Sequence, residues 1–303
     1  MTAERRRLLA AVAVAYAVAL AAALLTGLAL AGRHPLLVAA AADVAATVAV
    51  FAFSVRHDNS SLYDPYWSVA PLPVALFFAA SGPPGAADPL RRGLALGLVT
   101  AWGARLTFNC LARWRSLADE DFRYVEIRRR AGRLYWPASL LSIHLLPTGW
   151  VFLGLLPLYP ALALPGRPAG WLDLAAALVA GGAIAIEALA DRQLRAFLAA
   201  RRDPAAVLDA GLWARSRHPN YLGEILFWWG LWLLGVAAAP GWWWTAAGPL
   251  AITLLFVLVS VPWMDRRMLA RHPEYAARLR SVPALLPWRK PPRPLPHGRR
   301  GPG

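Results

Sequence analysis

The chain has 303 residues, 58% of them hydrophobic, with mean hydropathy +0.43 and a formal net charge of +15. That apolar content exceeds what an ordinary soluble domain carries. No nucleic-acid-binding motif accompanies the basic residues, so nucleic acid is excluded as a partner and the charge reads as a topology signal. A single cysteine, Cys110, excludes an intramolecular disulfide and a cysteine-based zinc site.

A bilayer core about 30 Å thick needs roughly 20 apolar helical residues per crossing. Apolar runs predict spans over 8–31, 36–55, 67–80, 92–111, 138–160, 171–190, 221–238 and 242–263. The fold class is therefore all-α: a polytopic membrane helix bundle with about eight (seven to nine) transmembrane helices. The first run follows Arg5, Arg6 and Arg7 and is longer than a signal-peptide core, so it reads as a membrane span. The third run is short for a crossing. The last two form a hairpin turning at Pro240-Gly241. Three segments follow: N-terminal transmembrane helices over 1–57, a membrane domain over 58–289, and a basic Pro/Gly-rich tail over 290–303 expected to be disordered.

Arginine sets the orientation. It collects before the first span, in the expected 112–137 and 191–218 loops, and after Met264. The intervening loops hold only Arg33, Arg91, Arg92 and Arg167. With eight spans, the positive-inside rule puts both termini in the cytosol.

Polar residues within or beside spans are costly and mark candidate sites. In chain order, Asp43 lies inside the second span. The 58–67 stretch "DNSSLYDPYW" brings Asp64 and Tyr66 to the entry of the third. Asp64 precedes Pro65 and is expected to be extended or in a turn. Either these residues exchange protons at the end of a lipid pocket, or the tyrosines form an interfacial aromatic belt. Trp102, Arg105, Asn109 and Arg113 are spaced by three and four and share a helix face. The arginines either meet phosphates or snorkel to the interface. His144, in the fifth span, suits packing or a hydrogen bond. Glu187, Asp191 and Arg195, each four apart, form either a surface ion pair or a face for a ligand's hydroxyls and phosphates.

The stretch "SRHPNYLGEILFWWG" (216–230) opens the seventh span. Pro219 suits a first helical position. The following N–H groups, of Asn220 and Tyr221, and the helix dipole favour an anion. Arg217 and His218 sit just outside. Asn220 and Glu224 share a face, with Glu224 one turn deeper. Capping accounts for Arg217 and His218 but not for an acid at the start of an apolar run. No GxGxxG, GxxxxGK[ST] or HExxH pattern is present, so no Rossmann domain, P-loop or zinc motif is indicated.

These pieces resemble the steroid 5-alpha-reductase-like membrane family, in particular its DUF1295 branch. "GLWARSRHPNYLGEILFWWG" (211–230) carries the signature, and "WGARLTFNCLARWR" (102–115), "DEDFRYVEIRR" (119–129), "EALADRQLRAF" (187–197) and "HPEYAARLRSVPALLPW" (272–288) follow the family pattern in order. The resemblance implies a helix bundle that holds NADPH from the cytosolic side and reduces a C=C bond conjugated to a carbonyl in a steroid-like or other lipid. It implies nicotinamide contacts for Asn220 and Glu224, a ribose or adenosine contact for Asp191, and phosphate contacts for Arg105, Arg113 and Arg195. Asp64, Tyr66 and Glu224 are the catalytic candidates. Arg105, Asn109, Arg113, Asp191, Arg195, Arg217, His218, Asn220, Tyr221 and Glu224 are the cofactor-binding candidates. Trp102 stands where the reductases have a tyrosine. Asp43 and Asp64 substitute weakly for their early-span glutamate. The alternative is an S-adenosylmethionine-dependent methyltransferase of the isoprenylcysteine or phospholipid type, against which Asp265-Arg266 replaces the usual Glu-Glu. A non-catalytic lipid-binding protein is the third reading. The expected partners are a lipid substrate and membrane lipids.

Overall fold

A computed structural model describes residues 2–203 and 206–286. The basic tail over 290–303 lies outside the described residues. The chain divides into two compact units, Met1–Gly182 with Leu226–Ile252, and Ala183–Ile225 with Thr253–Gly303.

Unit 1 contains α1 (Ala3–Ala29), α2 (Pro35–Arg56), a 3-10 turn (Ser60–Tyr63), α3 (Tyr66–Val69), α4 (Pro71–Ser81) and α5 (Pro89–Arg113). There follow α6 (Phe122–Ala131), α7 (Tyr135–Ser139), a π-helical turn (Leu140–Leu145), α8 (Leu146–Leu155) and α9 (Leu158–Ala163). The start of α10 (Trp171–Ala200), most of α11 (Pro219–Ala238), a 3-10 segment (Pro240–Ala246) and the start of α12 (Ala247–Leu255) complete it. Unit 2 holds the rest of α10, the first turns of α11, the end of α12, a π-helical turn (Phe256–Ser260), α13 (Val261–Arg271) and α14 (Tyr275–Ser281). No strand occurs among the described residues. Among the described residues, seven helical stretches are long and apolar enough to cross a membrane. The protein is a multi-pass membrane helix bundle.

Local chemistry sets the helix starts. Pro35 and Pro89 occupy first positions, where the missing N–H costs nothing. Asp88 caps α5 by accepting from the N–H groups of Leu90 and Arg91. The same carboxylate accepts from Ala169 N–H, and these bonds hold its pKa below the ordinary aspartate value.

Side chains define two ends of unit 1. At the near end, the Arg5 guanidinium donates to the Leu111 and Trp114 carbonyls, both at 3.1 Å. Asn59 donates to the Leu117 and Asp119 carbonyls at 2.7 and 3.0 Å. The start of α1, the end of α2 and the end of α5 are thus together. At the far end, Arg91 clamps Asp173 at 2.6 Å, joining the starts of α5 and α10, and both residues are nearly fully buried. There the Tyr159 ring meets His34, from the α1–α2 turn, and Phe78 of α4, each at 5.5 Å.

The third expected span differs from the expectation. Residues 66–81 form two short helices broken at Ala70-Pro71, and neither belongs to the seven long stretches. Yet Asn59, bonded to the Leu117 and Asp119 carbonyls, lies at the near end and Phe78 at the far end, so the chain between them still traverses unit 1. The 16 residues over 66–81 rise about 24 Å, short of a full core. The preceding turn makes up the difference, because Ser60, Ser61, Leu62 and Tyr63 are buried at 0–4% exposure and the crossing starts below the surface.

Two expected loops are helical instead. The 112–137 segment contains α6, which runs on through α7 and the π turn to Leu155 as one 34-residue stretch. The 191–218 segment begins with three further turns of α10, so Asp191 and Arg195 are mid-helix.

Candidate functional site

Unit 2 builds its polar site on three helices. Pro219 opens α11, and the His218 carbonyl accepts from Leu222 N–H at 3.2 Å, which makes His218 the cap position. Arg217 and His218 both turn to Asp265 of α13. Arg217 donates from Nη2 to Oδ2 at 2.7 Å and from Nε to Oδ1 at 3.3 Å. His218 Nε2 lies 2.9 Å from Oδ1, and Tyr275 OH donates to the same oxygen at 2.9 Å. Arg217 Nη1 donates to the Val282 carbonyl at 2.5 Å, while the N–H groups of Arg217 and His218 donate to the Pro283 and Ala284 carbonyls at 3.0 Å each. Asp265 is only 9% exposed, so its charge is held by donors rather than by water. Burial and the neighbouring Asp265 charge raise the Tyr275 pKa above the ordinary phenol value. In this arrangement Arg217 and His218 fix the helix start and do not reach outward.

Beside this clamp, α10 and α11 run antiparallel. A Cβ at Gly223 would stand 2.9 Å from the Ala183 carbonyl and would overlap Glu187, so the two helices nearly touch there. That contact puts Asp191 and Asn220 at one level. Glu187 and Glu224 are buried, at 2% and 5% exposure. Asp191 and Asn220 are half-buried and Arg195 is exposed. Tyr221 stacks on His218 at 5.1 Å and 10° and meets Phe256 at 4.9 Å. Unit 2 therefore brings Asp191 and Asn220 to one level of the α10–α11 seam, with Glu187 and Glu224 about one turn inward and Arg195 about one turn outward, while Tyr221 turns away to His218 and Phe256.

Unit 1 carries the other candidates. Asn109 is buried, Arg105 half-buried and Arg113 exposed along the near-end half of α5. Arg113 Nε donates to the Asn109 carbonyl at 3.1 Å. Trp102 is fully buried, stacked on Phe227 at 4.7 Å and 3°, and edge-on to Trp228. The indole is core packing.

Asp64 and Tyr66 do not pair. Asp64 is αR (φ −57°, ψ −47°), not extended, because it closes the 3-10 turn with its N–H on the Ser61 carbonyl. Asp64 thus takes the turn alternative of the two expected before proline. Its carboxylate accepts from Tyr124 OH. Tyr66 OH faces Asp43 instead, at 3.5 Å from Oδ1, and both are buried. Asp265 and Tyr124 were not candidates from sequence. Asp265 looked like a departure from a motif. The only signal for it was Arg217, 48 positions earlier, lacking an acid nearby in sequence.

An uncharacterized protein of Schizosaccharomyces pombe is 29% identical over 207 residues, which is 61% of this chain and 60% of that protein. The chain thus spans about 60% of that relative's length. No solved structure matches the chain. The family described as "Protein of unknown function (DUF1295)" matches residues 50–282, from the end of α2 through α14, including the α10–α11 seam and the Asp265 clamp. On that extent of match, the chain belongs to the DUF1295 family.

Proposed function

We propose that the protein is an integral-membrane oxidoreductase that uses NADPH to reduce a C=C bond conjugated to a carbonyl in a steroid-like or other lipid. The supporting observation is the α10–α11 seam, where the facing stretches carry two buried carboxylates, Glu187 and Glu224, and, one turn outward, a carboxamide and a third carboxylate. A buried acid in a membrane helix is expensive and is most often functional.

The donor set fits the cofactor. Asn220 offers both a donor and an acceptor to a nicotinamide carboxamide, and Glu224 offers an acceptor one turn deeper. Asp191 accepts from ribose hydroxyls, and exposed Arg195 meets phosphate. Arg105, Asn109 and Arg113 enter through the family resemblance of their helix. Arg217 and His218 hold the start of α11, and with it Asn220 and Tyr221, in place through Asp265. When bound, the cofactor supplies a hydride to the β carbon of the substrate. By the family resemblance, Tyr66 and Asp64 act on the substrate carbonyl; in the structure the Tyr66 OH donates to Asp43 and the Asp64 carboxylate accepts from Tyr124 OH. By the positive-inside rule the basic segments face the cytosol, with both termini there; the Ala/Arg-rich composition points to a bacterial plasma membrane.

Thermal unfolding of the purified protein in detergent tests the reading. NADPH at about 100 times its Kd should stabilise by roughly 2.7 kcal/mol, and S-adenosylmethionine should not. Glu224→Gln and Asp191→Asn should each reduce the gain. A gain with S-adenosylmethionine alone would replace the reading with a methyltransferase. No gain with either would leave a non-catalytic lipid-binding protein.

A further inference from the structure

Unit 1 holds a second buried polar system that the reductase reading does not use. The near end opens on a cavity of ≈ 620 Å³ lined in part by Asp58, Asn59, Asp119, Glu120 and Arg128. Glu120 is its inner wall, with a side chain only 11% exposed. Its Oε1 accepts from Ser60 N–H at 2.8 Å and from Tyr135 OH at 3.1 Å. From there hydroxyls continue inward without a gap. Tyr135 OH lies 2.7 Å from Ser60 Oγ, and Ser60 Oγ lies 2.8 Å from Ser139 Oγ. His144 Nδ1 lies 3.0 Å from the Ser139 carbonyl and 3.5 Å from Ser139 Oγ. On the ring's other side, Nε2 lies 3.1 Å from Ser54 Oγ, which donates to the Val50 carbonyl at 3.2 Å. Ser54, Ser60, Ser139 and His144 are all 0% exposed.

The backbone is shaped for this chain. Ser139 and His144 are five residues apart. In an α-helix that spacing turns them about 140° from each other. The π-helical turn over Leu140–Leu145 widens the winding and brings them onto one side. Such turns recur at functional sites.

We propose that Glu120, Tyr135, Ser60, Ser139 and His144 form a proton relay between the cavity and the bundle interior. A protonated His144 gives its Nδ1 proton to Ser139 Oγ, and a small ring rotation from the carbonyl to the hydroxyl closes that link. Ser139 passes its own proton to Ser60, Ser60 to Tyr135, and Tyr135 to the Glu120 carboxylate, which releases one to water. Each hydroxyl oxygen loses one O–H bond and gains another, and no electron moves. His144 is left neutral with its Nε2 proton on Ser54. The reverse order loads His144 from water. The relay would supply the proton that the proposed reduction consumes, but it stands without that reaction.

The test is nuclear magnetic resonance on the full chain in detergent with isotope-labelled histidine, the His144 signal being assigned by its loss in His144→Gln. The readout is exchange with water of the Nδ1–H of the protonated ring, the proton that the relay carries. Ser60→Ala and Tyr135→Phe should each slow it by about tenfold or more, as expected when one link of a hydrogen-bonded path is removed. Ser142→Ala, which removes an exposed hydroxyl on the same turn, should leave it unchanged. Unchanged exchange in both relay variants, or equal slowing in all three, would overturn the proposal. If NADPH binding fails while this pattern holds, only the reductase reading falls.

Discussion

Asp64 shows how one side chain takes its chemistry from its surroundings. Its N–H closes the 3-10 turn on the Ser61 carbonyl, and its carboxylate accepts from Tyr124 OH, 60 positions away. Tyr124→Phe removes that donor and should cost about 1–3 kcal/mol, read as a lower melting temperature in detergent. An unchanged melting temperature would show that this bond does not hold the turn. The 216–224 stretch sharpens the same lesson. Arg217 and His218 are adjacent to Asn220 and Glu224 in sequence, yet the clamp on Asp265 gives them a different task.

Helix contacts are decided by single backbone positions. Gly230 of α11 faces Ala180 of α10, and a Cβ there would stand 2.8 Å from the Ala180 nitrogen and 3.0 Å from its Cα. Backbone cannot swing aside as a flexible side chain can, so the helices would have to separate. Gly230→Ala should cost about 1–3 kcal/mol. Gly93→Ala, on a face of α5 with nothing within 4 Å, should be neutral or stabilising by up to about 1 kcal/mol through helix propensity. Melting of the two variants in detergent separates close approach from propensity; equal effects would refute the packing argument. The π turn at Leu140–Leu145 is a second local decision, since it changes which of two residues share a side.

At the scale of the molecule, unit 1 makes its third traverse with helices too short to be recognised as a span. Arg56 ends α2, Pro84 lies between α4 and α5, and Arg115 follows α5. In a Cys110→Ala background, Arg56→Cys and Arg115→Cys should react with an impermeant thiol reagent from one side of the membrane, and Pro84→Cys from the other. Labelling of Arg56→Cys and Pro84→Cys from the same side would show that residues 66–81 do not cross.

The apolar runs by themselves determined the fold class, the seven long apolar stretches and the helix that begins at Pro219, because these depend on hydropathy, proline and spacing along a single helix. The candidate residues on α5, α10 and α11 were legible for the same reason. The partners were not. Asp265 for Arg217, Asp173 for Arg91, Asp43 for Tyr66 and Tyr124 for Asp64 are separated in sequence by 48, 82, 23 and 60 positions. No periodicity links residues that far apart. Only packing decides which of several buried charges share a site, because the cost of leaving any of them unpaired in an apolar interior falls due when the helices come together.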